Sequence, residues 1–176
     1  MLRLFGVFKV MSRSVLFTRA AGVALILSVA ATAIVTAAPA DVALIKSRKD
    51  KLRDMGTALK QVDDELKKRS PDWENVILLN VQVLHERSPY LLKWFPKGSG
   101  PESGVKTYAL PAIWQKAGDF AKHAKDMEAA SVKLHQAAAK KDAGELKAQV
   151  IAMGKSCKAC HDDYRSPEYE KDAEQQ

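Results

Sequence analysis

The sequence of 176 residues contains very little cysteine, only Cys157 and Cys160. Two cysteines cannot build a disulfide framework, and a bridge between them would close a loop too short to constrain the unfolded chain strongly. A structural zinc site needs about four ligands. There is no second cysteine pair, and His85, His123 and His135 are scattered singly. The scarcity of cysteine therefore argues against both a disulfide scaffold and a zinc module.

The chain also lacks any stretch in which apolar and polar residues alternate for long enough to predict a strand. It has no large excess of charge once the N-terminus is set aside. Residues 1–37 contain four of the 28 basic residues and no acid, which leaves 24 basic against 21 acidic residues. Because basic and acidic residues are nearly equal in number, the sequence gives no reason to expect a nucleic-acid partner. Without strands there is no βαβ context for a thioredoxin-like dithiol, and the sequence predicts an all-α protein.

The two cysteines are followed directly by a histidine, in the segment Cys-Lys-Ala-Cys-His at 157–161. This is the attachment pattern of a c-type haem, in which two thiols add to the porphyrin vinyl groups and the imidazole ligates the iron. On a helix, Cys157 and His161 are one turn apart and Cys160 lies on the same side, so all three can reach one macrocycle. The sequence therefore predicts one covalently attached haem c.

The N-terminal segment has the order of a secretory signal peptide. Basic residues precede an apolar run over 20–35, which ends in small residues. This order predicts a signal peptide over 1–37, with cleavage as late as residue 40 as an alternative, and hence a periplasmic protein. Met11 is a second candidate start. An uncleaved membrane anchor is the other interpretation, because the apolar run approaches the length of a spanning helix.

The remaining sequence predicts four amphipathic helices and a charged tail. We expect helices over about 41–68, 70–87, 111–138 and 142–166, an irregular connection over 96–110 and a disordered tail over 167–176. Apolar residues at alternating steps of three and four mark three of the helices, whereas the second has the weakest periodicity. Ser70 is expected to cap the second helix, and Asp142 with Glu145 resembles a capping box. The lengths of the connections favour an antiparallel four-helix bundle over residues 41–166.

Three segments are typical of a known protein family. They are Cys-Lys-Ala-Cys-His-Asp-Asp-Tyr-Arg at 157–165, Leu-Pro-Ala-Ile-Trp at 110–114 and Arg-Lys-Asp-Lys-Leu-Arg-Asp-Met-Gly at 48–56. In these segments the chain resembles the class II c-type cytochromes, the cytochrome c′ family. The resemblance runs from about residue 43 to residue 165. It implies a four-helix bundle that carries one haem c near its C-terminus.

The resemblance also implies roles for four residues of the first helix. Arg48 and Lys49 correspond to residues near the haem propionates, and Arg48 would need an anionic partner if it is buried. The alternative for Arg48 is a side chain that reaches solvent. Leu52 corresponds to the residue that covers the distal face of the iron, and leucine has no donor atom. Met55 lies on the same seam and is either a core residue or an alternative sixth ligand.

Arg165, four residues after His161, corresponds to a basic residue on the proximal side of the haem. As a C-terminal cation it would also suit the helix dipole. Members of the family are commonly homodimers, and Trp73 and the apolar segment 90–95 are candidate contacts.

Leu52 over the iron implies a five-coordinate, high-spin haem in a periplasmic one-electron carrier with redox partner proteins. The alternatives are a carrier or sensor that binds NO or CO at the open face, and a six-coordinate electron carrier ligated by Met55. No enzyme is expected, because His123 and His135 show no paired carboxylate in the sequence.

Overall fold

The computed structural model describes residues 39–173, with side-chain detail from Val42 to Asp172. In this range the chain forms six α-helices: α1 Pro39–Leu66, α2 Leu79–Arg87, α3 Ala112–Gln115, α4 Ala117–Ala139, α5 Ala143–Tyr164 and α6 Glu168–Ala173. A π-helical turn over Trp73–Leu78 leads into α2, and 3-10 turns follow at Ser88–Trp94 and Pro101–Ser103. The described residues contain one isolated β-bridge, between Ala109 and Arg165, and no strand. The segment predicted as a signal peptide lies outside the described residues.

Helices α1, α2, α4 and α5 form the four-helix bundle that the sequence predicts. Helix α4 packs most extensively against α5, α1 packs on α2, and contacts from α2 to α4 and from α1 to α5 close the bundle. The shared interior contains fully buried Val62, Ile77, Leu134 and Met153. Burial of each such side chain contributes roughly 1.5–3 kcal/mol, so this interior is the main source of the bundle's stability. None of the helices within residues 39–173 is long and apolar enough to cross a membrane.

The start of the second bundle helix differs from the prediction. The cap is Asp72 rather than Ser70, and its carboxylate accepts a hydrogen bond from the backbone N–H of Asn75 at 2.9 Å. The Ile77 N–H donates to the Asp72 carbonyl at 3.0 Å, an i to i−5 bond that defines the π-helical turn. Such a turn breaks the 3.6-residue period, which explains why the periodicity of this helix is the weakest.

The third predicted helix is divided into α3 and α4. At Lys116 the backbone has φ −116° and ψ 47°, which no α-helix adopts, so the helical bonds stop and restart there. The start of α5 agrees with the predicted cap, since the Asp142 carboxylate accepts a hydrogen bond from the Glu145 N–H at 2.9 Å.

Six residues of the segment 167–176, which the sequence predicts to be disordered, are helical in the structure. Residues Glu168–Ala173 form α6, and Asp172 accepts hydrogen bonds from the Tyr108 hydroxyl at 2.5 Å and from the Lys106 ammonium at 2.7 Å. The Ser166 N–H donates to the Tyr108 carbonyl at 2.7 Å. The charged residues of this segment therefore make specific pairs with the connection before α3. The last three residues lie outside the described part.

Candidate haem site

The two cysteines and the histidine of the haem motif lie on the last two turns of α5. Both thiols are free and half-buried. Cys157 packs against the main core of the bundle, whereas Cys160 packs against a second, smaller core cluster. That cluster is formed by Ile113, Phe120 and Tyr164. The motif therefore lies where the two clusters meet, with His161, also half-buried, one turn after Cys157.

The protonation state of His161 suits ligation of a haem iron. Burial raises the pKa of Cys157 and raises that of Cys160 to about 11. Burial, together with the positive charge of Arg165, lowers the pKa of His161 to about 4. At neutral pH the imidazole is therefore uncharged and has the lone pair that a metal ligand needs. The thiols lack the lowered pKa of a dithiol redox centre.

Within the described part of the chain, no group of three or more His, Cys, Asp and Glu side chains is placed to hold a metal ion on its own. The described residues therefore offer too few ligands for a metal ion without a cofactor. Two thiols and one neutral imidazole fit haem c instead, because the thiols can add to the vinyl groups, the imidazole can ligate the iron and the porphyrin supplies the other ligands.

Arg48 is buried inside the bundle, with 2% of its surface exposed. This excludes the alternative in which its side chain reaches solvent. The guanidinium donates four hydrogen bonds to uncharged oxygens: Trp94 O at 3.3 Å, Ser99 Oγ at 3.0 Å, Ser99 O at 2.9 Å and Thr107 Oγ1 at 3.0 Å. Burial lowers its pKa to about 10, and the charge of Glu102 acts in the opposite direction. Among the described residues no carboxylate contacts this cation, so an anion bound beside it would find a cationic partner.

The other three residues singled out on α1 have different surroundings. The Lys49 ammonium lies 5.5 Å from the centre of the Tyr108 ring. Leu52 is half-buried and packs against the main core, the same cluster that Cys157 contacts. Met55 is 5% exposed and belongs to that core itself. Leu52 is therefore the residue at the edge of the core, and Met55 lies within it.

Arg165 caps the C-terminus of α5, and its N–H donates to the His161 carbonyl at 3.0 Å. Its guanidinium pairs with the Glu170 carboxylate and lies 4.2 Å from the centre of the Tyr169 ring. The side chain is thus held by two residues of α6, which is more than the helix dipole alone would do.

A family model described as cytochrome c′ matches residues 43–165. The chain belongs to the cytochrome c′ family. It therefore binds one haem c covalently, and the cysteine pair near its C-terminus fits that attachment. It is a haem protein of this family.

Two relatives and one solved structure show how far the similarity extends. The chain is 35% identical to cytochrome c′ from Alcaligenes xylosoxydans xylosoxydans over 121 residues, which are 69% of this chain and 91% of the relative. It is 45% identical to cytochrome c-554 from Cereibacter sphaeroides over 71 residues, 40% of this chain, and spans only 53% of that relative's length. A nitric oxide complex of a cytochrome c′ variant from Alcaligenes xylosoxidans superposes with a TM-score of 0.61 at 30% identity. That match covers 70% of this chain and 94% of the other.

Two histidine contacts of this cytochrome c′ were not expected. The sequence shows no carboxylate partner for His123, yet its Nε2 lies 3.4 Å from Asp163 Oδ2. The rings of His85 and His135 are stacked, with centroids 4.5 Å apart. Each contact joins two helices, so no spacing within one helix could have indicated it.

The surface proposed for dimer contacts is smaller than the sequence suggests. Trp73 packs against the core, and Leu91 and Trp94 are buried with 4% and 8% of their surfaces exposed. Tyr90 and Leu92 remain exposed, at 50% and 43%. Only these two residues of the segment 90–95 offer large apolar surface to a partner subunit.

Proposed function

We propose that this chain is an exported, periplasmic monohaem cytochrome c′ whose haem is five-coordinate, with a distal face that Leu52 covers without ligating the iron. One observation carries this proposal: Leu52 packs against the same core cluster as Cys157, and it has no donor atom. Bound haem c supplies one-electron redox chemistry and an iron site that takes small gaseous ligands. The protein would bind NO or CO at that face and exchange electrons with redox partner proteins.

The geometry of the site supports proposals for the remaining residues. Cys157 and Cys160 would form the two thioethers, and the neutral His161 ring would ligate the iron from the proximal side. Arg48 would pair with a haem propionate, because it is a buried cation whose acceptors in the chain are all uncharged. Lys49, the next residue on α1, would place a second positive charge near the propionates.

Leu52 would also select among gases. Its side chain is apolar, so it offers no hydrogen bond to a ligand that lies against it. Dioxygen gains more from a donor than CO or NO does, and this face would therefore disfavour dioxygen. The solved relative supports the choice of gas, since it is a complex with nitric oxide.

A six-coordinate electron carrier ligated by Met55 is the competing function. The burial of Met55 within the main core opposes it, because its thioether would have to leave well-packed apolar neighbours to reach the iron. We therefore assign Met55 to packing and Leu52 to the distal face.

The test is the optical spectrum of the reduced, haem-loaded protein before and after addition of carbon monoxide. We expect a broad high-spin Soret band that shifts at once with carbon monoxide. Met55→Leu should leave this behaviour unchanged. Leu52→Met supplies a thioether at the proposed position and should produce a sharp low-spin alpha band and slower binding of carbon monoxide. A low-spin wild type that becomes high-spin only in Met55→Leu would show that Met55 is the sixth ligand and end the proposal.

Export and assembly have their own measurements. Mass spectrometry of protein from the periplasmic fraction should give a mature N-terminus at residue 38, or at residue 41 if cleavage is late. Retention of the full segment in a membrane fraction would indicate an anchor instead.

Sedimentation should detect a homodimer that Tyr90→Ser with Leu92→Ser weakens, and a wild-type monomer at high concentration would contradict this.

A further inference from the structure

Helix α6 lies beyond the residues that match the family, which end at 165. It nevertheless contacts Arg165, the residue that follows α5. The Glu170 carboxylate accepts a hydrogen bond from Arg165, and the Tyr169 ring lies under the same guanidinium, 4.2 Å from centroid to Cζ. A guanidinium over an aromatic face is held by cation–π attraction as well as by its ion pair. Two neighbouring residues of α6 therefore hold the guanidinium of Arg165, four residues after His161.

The position of α6 is itself fixed at both ends. At its start, the Ser166 N–H donates to the Tyr108 carbonyl, and Ala109 pairs with Arg165 in the isolated β-bridge. At its end, Asp172 accepts hydrogen bonds from the Tyr108 hydroxyl and the Lys106 ammonium. The Tyr108 and Tyr169 rings also meet edge to face, with centroids 5.3 Å apart. These contacts hold α6 against the connection before α3. The contacts of Tyr169 and Glu170 with Arg165 are therefore fixed by the fold.

We propose that Tyr169 and Glu170 are positioning residues that hold the Arg165 guanidinium beside His161. This rests on the proposed role of His161 as axial ligand. Arg165 lies one turn after His161 and its backbone N–H bonds the His161 carbonyl. Burial and the positive charge of Arg165 lower the pKa of His161, and the carboxylate of Glu170 acts less strongly in the opposite direction. A long, half-buried arginine samples many rotamers unless its head is bound, and α6 supplies that binding.

The position of the Arg165 charge affects the reduction potential of the haem. Reduction removes one positive charge from the iron, so a cation held on the proximal side favours the reduced state. Loss of Arg165 should therefore lower the reduction potential. Release of Arg165 from the Tyr169 ring should lower it less, because the guanidinium would spend only part of its time away from His161.

The experiment compares reduction potentials of the haem-loaded wild type, Arg165→Gln, Tyr169→Leu, Tyr169→Phe and the double variant Arg165→Gln with Tyr169→Leu. Neither change at Tyr169 alters the charge of the protein, so a potential shift cannot come from a lost charge. We expect Arg165→Gln to lower the potential, Tyr169→Leu to lower it by a fraction of that shift, and Tyr169→Phe, which keeps the ring, to resemble the wild type. The double variant should match Arg165→Gln.

An unchanged potential in Tyr169→Leu beside a lowered one in Arg165→Gln would overturn the proposal, and so would a double variant lower than Arg165→Gln. Hydrogen exchange gives a readout independent of the haem. The Ser166 amide should exchange several-fold faster in Tyr169→Leu but not in Tyr169→Phe. Equal protection in all variants would also contradict the proposal that α6 holds Arg165. Failure of the proposed five-coordinate function would instead appear in the wild-type spectrum with carbon monoxide, so the two failures are distinguishable.

Discussion

Replacement of Arg48 by methionine tests whether the buried cation holds the connection after α2 in place. The guanidinium donates to two hydroxyls and two backbone carbonyls. Both hydroxyls have another partner, because Ser99 Oγ donates to the Pro96 carbonyl at 2.8 Å and Thr107 Oγ1 accepts from the Ala109 N–H at 3.2 Å. The carbonyls of Trp94 and Ser99, in contrast, lose their guanidinium donors.

A buried carbonyl left without a donor costs about 1–3 kcal/mol, so two would cost about 2–6 kcal/mol. Removal of a buried charge offsets part of this cost, since burial already disfavours the charged form enough to lower the Arg48 pKa to about 10. We therefore expect Arg48→Met to lower the free energy of unfolding by at least about 2 kcal/mol, because loss of the proposed pair with a haem propionate adds to the cost of the two carbonyls.

The assay is urea unfolding of the haem-loaded protein at pH 7, followed by far-ultraviolet circular dichroism. The midpoint should fall while the slope with urea stays constant, because the surface exposed on unfolding does not change. Arg53→Met is the matched control: Arg53 is on the same helix, is exposed, and pairs only with Asp50 at 3.1 Å. A surface pair contributes about 0–1 kcal/mol. Equal midpoints for the two variants would refute the reasoning.

Three further predictions concern acid stability, packing and haem attachment. The N–H of Asp72 holds the pKa of Glu65 below its usual 4.5, so the stabilisation is present above that pH and is lost as the pH falls through the folded-state pKa. Glu65→Gln should therefore lower the melting temperature at pH 7, with the difference from wild type shrinking as the pH falls below 4.5; a constant difference would count against the assignment. Met153→Ala should cost about 2–5 kcal/mol by leaving a cavity in the core, measured by urea unfolding. Cys157→Ser combined with Cys160→Ser should abolish the haem band on a denaturing gel, and persistence of that band would exclude thioether attachment.

The helical class and the bundle could be predicted because their signals are local. Apolar residues that recur every three or four positions mark a buried helical face whatever that face packs against. The cap of α5 could be predicted for the same reason, since Asp142 and Glu145 are three residues apart. The start of α2 could not, because the π-helical turn after Asp72 has no distinctive local pattern.

The tail shows the limit of composition as a guide. Residues 167–176 are rich in charge, which is typical of solvated segments. The structure uses that charge in pairs: Glu170 with Arg165 and Asp172 with Lys106. Lys106 is 66 residues before Asp172. Nothing near the tail in the sequence shows that such a partner exists.

The sequence by itself determined the chemistry of the cofactor, because two thiols and an imidazole within five residues share one side of one helix whatever the rest of the chain does. It also determined that Leu52, the residue proposed for the distal face, has no donor atom. Only the tertiary structure decided that Arg48 is buried among uncharged oxygens, that His123 meets Asp163, and that α6 holds Arg165. The physical reason is that a local pattern encodes which residues turn inward, whereas the partner each one meets depends on how separate helices and connections pack.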